Sequence, residues 1–162
     1  LLDYLRLNRS LRGTKEGCNE GDCGACTVAL GSLRDGRLVY EPVNACILLM
    51  GQIDGKELVT VAALAADGTL HPVQETTVGL HGSQCGFCTP GMITRAYRLL
   101  QEIPDPTEEE IRYWMAGNLC RCTGYQNIVK SIQYAARKLR GEPVETSHPL
   151  MGEKAAQSEM AG

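Results

Sequence analysis

Eight of the 162 residues are cysteines, and their spacing is the feature of this sequence most able to do chemistry. In an exported chain, eight thiols would suggest four disulfides, with 105 possible pairings. The N-terminal residues do not read as an export signal. Asp3 and Arg6 interrupt the apolar positions, and no small-residue cleavage site follows. In a reducing compartment, clustered cysteines are more often metal ligands or redox groups. The sequence therefore reads as cytoplasmic. The thiols form two quartets, Cys18, Cys23, Cys26 and Cys46, then Cys85, Cys88, Cys120 and Cys122, with 38 cysteine-free residues between them.

The first quartet has a C-x4-C-x2-C run and a fourth cysteine twenty positions on. That is the plant-type spacing for a [2Fe-2S] cluster. A four-thiolate cluster is anionic, so a loop around it must turn backbone N–H groups inward. Gly17, Gly21 and Gly24 are placed to supply the positive φ angles of such a wrap. A structural zinc site is the competing reading. Zinc favours two similar two-cysteine knuckles, which this quartet lacks.

The second quartet is Cys85-Gly86-Phe87-Cys88, then, after 31 residues, Cys120-Arg121-Cys122. Each pair leads into a helical pattern. Thr89 reads as an N-cap and Pro90 as the first helical residue. Met92, Ile93, Ala96, Leu99 and Leu100 then share one face, as do Ile128, Ile132, Ala135 and Leu139 in the later helix. Helix N-termini favour an anionic centre. Spacing alone leaves zinc open for this quartet.

The elements that must position these thiols follow from local patterns. Residues 1–10 read as a helix remnant. Thr27–Leu30 and Arg37–Val43 read as strands joined by an Asp35-Gly36 hairpin, with a further strand at Glu57–Val61. Asp67-Gly68 marks a linker at 66–70. From His71 the period is helical. Pro72 opens one helix, a second runs from Pro90 to about Glu102, and Thr107 with Glu110 makes a capping box for a third. Gly117 ends that helix, and a fourth stops at Gly141. The expected domains are 1–66, mixed α+β with a metal loop; 71–140, four helices; and a polar tail, 141–162.

Composition excludes other classes. Lys plus Arg number 16 against 19 acidic residues, for a net charge of −3, so the basic stripe of a nucleic-acid binder is missing. The longest apolar runs, Ala45–Met50 and Val61–Ala66, fall well short of the roughly 18 residues of a membrane span. His71, His81 and His148 show no paired ligand spacing. Phe87 and Trp114 read as packing residues, with Phe87 also placed to shield a metal centre. Arg121 is placed to offset its charge. Glu108–Glu110 reads as a helix start.

Three segments carry a resemblance. Cys18-Asn19-Glu20-Gly21-Asp22-Cys23-Gly24-Ala25-Cys26-Thr27-Val28, Gln84-Cys85-Gly86-Phe87-Cys88-Thr89-Pro90-Gly91 and Gly117-Asn118-Leu119-Cys120-Arg121-Cys122-Thr123-Gly124-Tyr125 resemble the iron–sulfur subunit of the molybdenum hydroxylases, over residues 1–140. The resemblance implies an α+β chain, a plant-ferredoxin-like β-grasp domain followed by an all-α four-helix bundle, each with one [2Fe-2S] cluster. It implies that Cys85, Cys88, Cys120 and Cys122 face a molybdopterin centre. Gln84 and Cys122 would contact the pterin, and Cys18, Cys23, Cys26 and Cys46 would face a flavin. The implied partners are a large molybdopterin subunit and a medium FAD subunit, in a dimer of heterotrimers. Family members begin with a β-hairpin that this sequence lacks, so the expectation is a truncated chain with an open sheet edge.

Thr14–Asp22 and His81–Gln84 look like xanthine dehydrogenase. Arg98–Glu102 and Gly124–Lys130 look more like carbon monoxide dehydrogenase. The expected role is electron transfer for oxidation of a purine or other N-heterocycle, with carbon monoxide or an aldehyde as the alternative. A zinc-stapled interaction module is the alternative of another class. The chain shows no catalytic triad or nucleotide loop of its own.

Overall fold

A computed structural model describes residues 1–144. The greater part of the polar tail, including His148, lies outside the described residues. Strand β1 (Thr27–Arg34) pairs antiparallel with β2 (Arg37–Asn44), from Thr27 opposite Asn44 to Arg34 opposite Arg37. Asp35 and Gly36 join them with φ of 49° and 74°. Two left-handed central residues make the hairpin turn whose twist matches the strands. Strand β3 (Glu57–Val59) pairs with the other side of β1, giving the order β2-β1-β3.

The strand expected over 57–61 stops at Val59. Residues Val61–Leu64 close into a 3-10 turn that directs Val61 and Leu64 into the helical core, ahead of the boundary read from composition. The linker is itself a tight turn closed by Ala66 and Thr69. The N-terminal helix reduces to one π-helical turn at Tyr4–Asn8. Its Leu5 packs with Leu2, Cys26, Val28 and Ala45.

Four helices complete the described chain: α1 (Pro72–Gly79), α2 (Thr89–Glu102), α3 (Glu108–Met115) and α4 (Gln126–Leu139). The predicted face of α2 is buried, with Leu99 fully so. Burying such a side chain contributes about 1.5–3 kcal/mol. Its N-cap is Cys88 rather than Thr89, whose hydroxyl donates instead to Ser83 Oγ at 2.8 Å. The Thr107–Glu110 capping box forms as the sequence predicts. In α4, Ile128, Ile132 and Ala135 are buried, but Leu139 is 48% exposed. It sits on the helix's last turn and lines an open groove with His71 and Tyr97. Helix α2 packs along β1, so the sheet and the helices share an interface.

Candidate metal centres

The first thiol loop curls around its own sulfurs. The N–H groups of Asp22 and Cys23 donate to Cys18 Sγ, each at 3.3 Å, and the Cys18 N–H donates to Cys23 Sγ at 3.4 Å. Asn44 at the end of β2 ties the loop down by donating to the Gly21 carbonyl at 2.6 Å. Gly21 and Gly24 take positive φ, but Gly17 does not. What Gly17 supplies is space, since a Cβ there would lie 2.6 Å from Cys23 Sγ. Cys46 arrives from the 3-10 turn Ala45–Ile47, which follows β2, and meets Cys26 just ahead of β1.

The second quartet is assembled from two helix approaches. Cys88 caps α2, while Cys120 and Cys122 lie in the loop between α3 and α4 rather than on the helix start itself. Tyr125 holds this loop. It sits in the left-handed region at φ 67°, a strained state for an aromatic residue. From there its hydroxyl accepts the Cys120 N–H at 2.8 Å. The Thr123 hydroxyl lies 3.1 Å from Cys120 Sγ.

The two loops meet at a junction that sequence reasoning missed. The Leu119 N–H donates to the Cys23 carbonyl at 2.9 Å. Asn118 is 1% exposed, and its amide donates to the Gly24 carbonyl at 2.9 Å and to Thr27 Oγ1 at 3.2 Å. Gly24 and Gly91 pack backbone on backbone. A methyl group on Gly91 would run into the Gly24 carbonyl, and one on Gly24 would lie 2.7 Å from the Asn118 amide. Asn118 stood inside the third segment, but nothing in its spacing marked it as the joint.

All eight cysteines are free thiols. They approach in pairs, closely enough for one thiol to shift the pKa of its partner: Cys18 with Cys23, Cys26 with Cys46, Cys85 with Cys122, and Cys88 with Cys120. Among the described residues, no three His, Cys, Asp or Glu side chains gather as for a single ion. Backbone N–H groups, that of Glu20 first, hold Cys18 down to about 6. Burial pushes Cys26 up to about 11 and Cys88 up to about 12. The Phe87 N–H lowers Cys85, while the neighbouring Cys85 thiol raises Cys122. For Cys120, burial pushes upward but is outweighed, chiefly by Thr123, so its thiol is lowered. Four thiols in each quartet, with backbone N–H groups on sulfur in the first and the Thr123 hydroxyl on Cys120 in the second, form donor sets that suit a [2Fe-2S] cluster.

Cys85, Cys122, Gln84 and Arg121 share exposed positions. Gln84 lies one residue ahead of Cys85. Phe87 is 48% exposed, with its ring edge against Gly17 of the first loop. Trp114 packs against the helical core. His71 is the N-cap of α1.

A family profile described as a [2Fe-2S] binding domain matches residues 60–133, a span that holds the second quartet. The nicotinate dehydrogenase small FeS subunit of Eubacterium barkeri is 45% identical over 138 residues, covering 85% of this chain and 83% of that one. Xanthine dehydrogenase of Blastobotrys adeninivorans is 46% identical over 132 residues, which are 80% of this chain and 9% of that protein. The structure of aldehyde oxidoreductase from Desulfovibrio gigas superposes with a TM-score of 0.77 at 40% identity, covering 87% of this chain and 15% of that one. The shared architecture is thus that of an iron–sulfur component of larger oxidoreductases. The chain belongs to the family of iron–sulfur subunits of the molybdenum hydroxylases.

Proposed function

We propose that this chain is the electron-transfer subunit of a molybdenum hydroxylase. Cys85, Cys88, Cys120 and Cys122 hold one [2Fe-2S] cluster, and Cys18, Cys23, Cys26 and Cys46 hold the other. When bound, the clusters supply one-electron steps between a molybdopterin centre and FAD in partner subunits. The carrying observation is the Leu119 N–H to Cys23 carbonyl bond at 2.9 Å. It links a residue of the first quartet to the immediate neighbour of Cys120 in the second, leaving no solvent gap along the backbone between them. The fold reads as a β-grasp domain followed by a four-helix bundle.

The exposed rim of Cys85, Cys122 and Gln84 is the face offered to the large molybdopterin subunit. Gln84 can both donate and accept a hydrogen bond to the pterin. The face around Cys18 and Cys46 is offered to the medium FAD subunit, in a dimer of heterotrimers. Nicotinate and xanthine, in the names of two relatives, are N-heterocycles, which favours a purine or other N-heterocycle as substrate of the complex. An aldehyde is the alternative favoured by the structural match. No helix among the described residues is long and apolar enough to cross a membrane. Cysteines spaced as two metal-ligand quartets suit a reducing, cytoplasmic setting.

Metal analysis and low-temperature EPR of the reduced protein test the reading. Two irons per quartet and two distinct rhombic signals are expected. A single signal, or stoichiometric zinc, overturns it.

A further inference from the structure

Arg98 lies on α2, far along the helix from the second quartet, and it is 5% exposed. A buried guanidinium is costly unless its N–H groups find acceptors. Here Nη2 donates to the Tyr40 carbonyl of β2 at 2.8 Å and pairs with Glu102 Oε1 at 2.6 Å, while Nη1 donates to Gln101. The guanidinium also lies over the Tyr40 ring, 5.5 Å from its centroid. Stacking and forked donation together make this an arginine-specific contact.

Tyr40 is well chosen as the anchor. It stands opposite Gly31 of β1, and a Cβ on Gly31 would lie 2.8 Å from its ring, so the ring covers the glycine. Glu57 of β3 lies near enough to its hydroxyl to raise the Tyr40 pKa. One side chain of β2 thus covers β1 and lies near Glu57 of β3, and Arg98 grips the sheet beside it.

Both packed elements carry a thiol ligand at one end. Cys88 caps α2, and Arg98 is ten residues on, about 15 Å at the helical rise. Cys26 immediately precedes β1, and Gly31 is five residues on, about 17 Å at the strand rise. The near ends are fastened by Asn118, Gly24 and Gly91. The far ends are fastened by Arg98 and Tyr40. With the near fastening alone, α2 could tilt about Gly91, and Cys88, one turn away at the helix start, would shift relative to Cys26.

We propose that Arg98 is a positioning residue that closes the far end of a two-point clamp and so fixes the separation of the two quartets. This rests on reading both quartets as [2Fe-2S] ligands. The test uses the full chain carrying its clusters. Iron is counted first, and a wild-type chain with fewer than two irons per quartet defeats the cluster reading without bearing on the clamp. Pulsed EPR then measures the dipolar interaction between the two reduced clusters in wild type, Arg98→Lys and Arg98→Met. The wild type is expected to give one narrow coupling. Arg98→Met should keep its iron and spread the coupling broadly, with Arg98→Lys between the two. Coupling as narrow as wild type in an iron-replete Arg98→Met protein overturns the clamp. If that variant does not hold iron, Arg98→Lys decides alone: it keeps the charge but not the fork, so a measurable spread supports the proposal and an unchanged line overturns it.

Discussion

Leu119 and Cys23 are 96 positions apart in sequence, yet the N–H of one meets the carbonyl of the other at 2.9 Å. The bond forms between the two thiol loops themselves, not between the bodies of the sheet and the helices. Whatever disturbs one loop at this point is felt by the other through a single peptide unit. The side chains around it set how far each disturbance travels.

Asn118 is the first place to measure this. Asn118→Ala removes both donations of the buried amide and leaves the Gly24 carbonyl without that donor. A loss of about 1–3 kcal/mol is expected, read from denaturant unfolding of the cluster-bearing chain. Asn118→Asp should lose at least as much, because a carboxylate cannot donate to the Gly24 carbonyl. An unchanged midpoint for both variants would contradict this role.

Cys46 is the one thiol of the first quartet that lies outside the loop. Cys46→Ala should abolish the iron of the first quartet and loosen the small core of Leu2, Leu5, Val28 and Ala45, because metal binding and folding are coupled. The second EPR signal should persist. Loss of both signals would show that the quartets do not load independently.

Gln84 is exposed, and its side chain has no hydrogen bond among the described residues. Gln84→Ala should therefore leave unfolding within about 0.5 kcal/mol of wild type, with both EPR signals present. In the assembled complex, cluster reduction by substrate should slow, as stopped-flow absorbance would report. An unchanged rate removes Gln84 from the site.

His71 makes the start of α1 sensitive to pH. Its Nδ1 accepts the Val73 N–H at 3.3 Å, and its ring meets Tyr97 edge to face at 5.2 Å. Burial holds its pKa below the ordinary 6.5. The unfolded chain therefore takes up a proton first as pH falls. This contribution to stability is complete above the ordinary value and is lost as pH drops through the lowered one. Thermal melts between about pH 8 and about pH 5 should show wild type losing more stability than His71→Asn, which can cap without titrating. Parallel curves would refute it.

Local chemistry was legible in the sequence wherever one or two residues decide it. Asp35-Gly36 dictated the hairpin, and Thr107 with Glu110 dictated the start of α3. The cysteine spacing separated the quartets. Contacts between distant segments were not legible. Nothing in the string marks Arg98 as buried against Tyr40, or Gly91 as lying on Gly24, because each depends on where the partner segment folds. Leu139 misled because helical periodicity continues to the last turn, whether or not neighbours cover it. Gly17 misled because a glycine needed for space looks the same as one needed for a turn.

The two quartets differ in how far solvent can approach their thiols. Cys26 is buried, whereas Cys85 and Cys122 face outward. A donor of iron and sulfide can reach the outward pair in the finished molecule. Cys26 is shut off by Leu2, Leu5, Val28 and Ala45 of the small core. In the folded chain the second quartet is thus open to solvent at Cys85 and Cys122, whereas the first has one thiol closed off beneath the N-terminal turn.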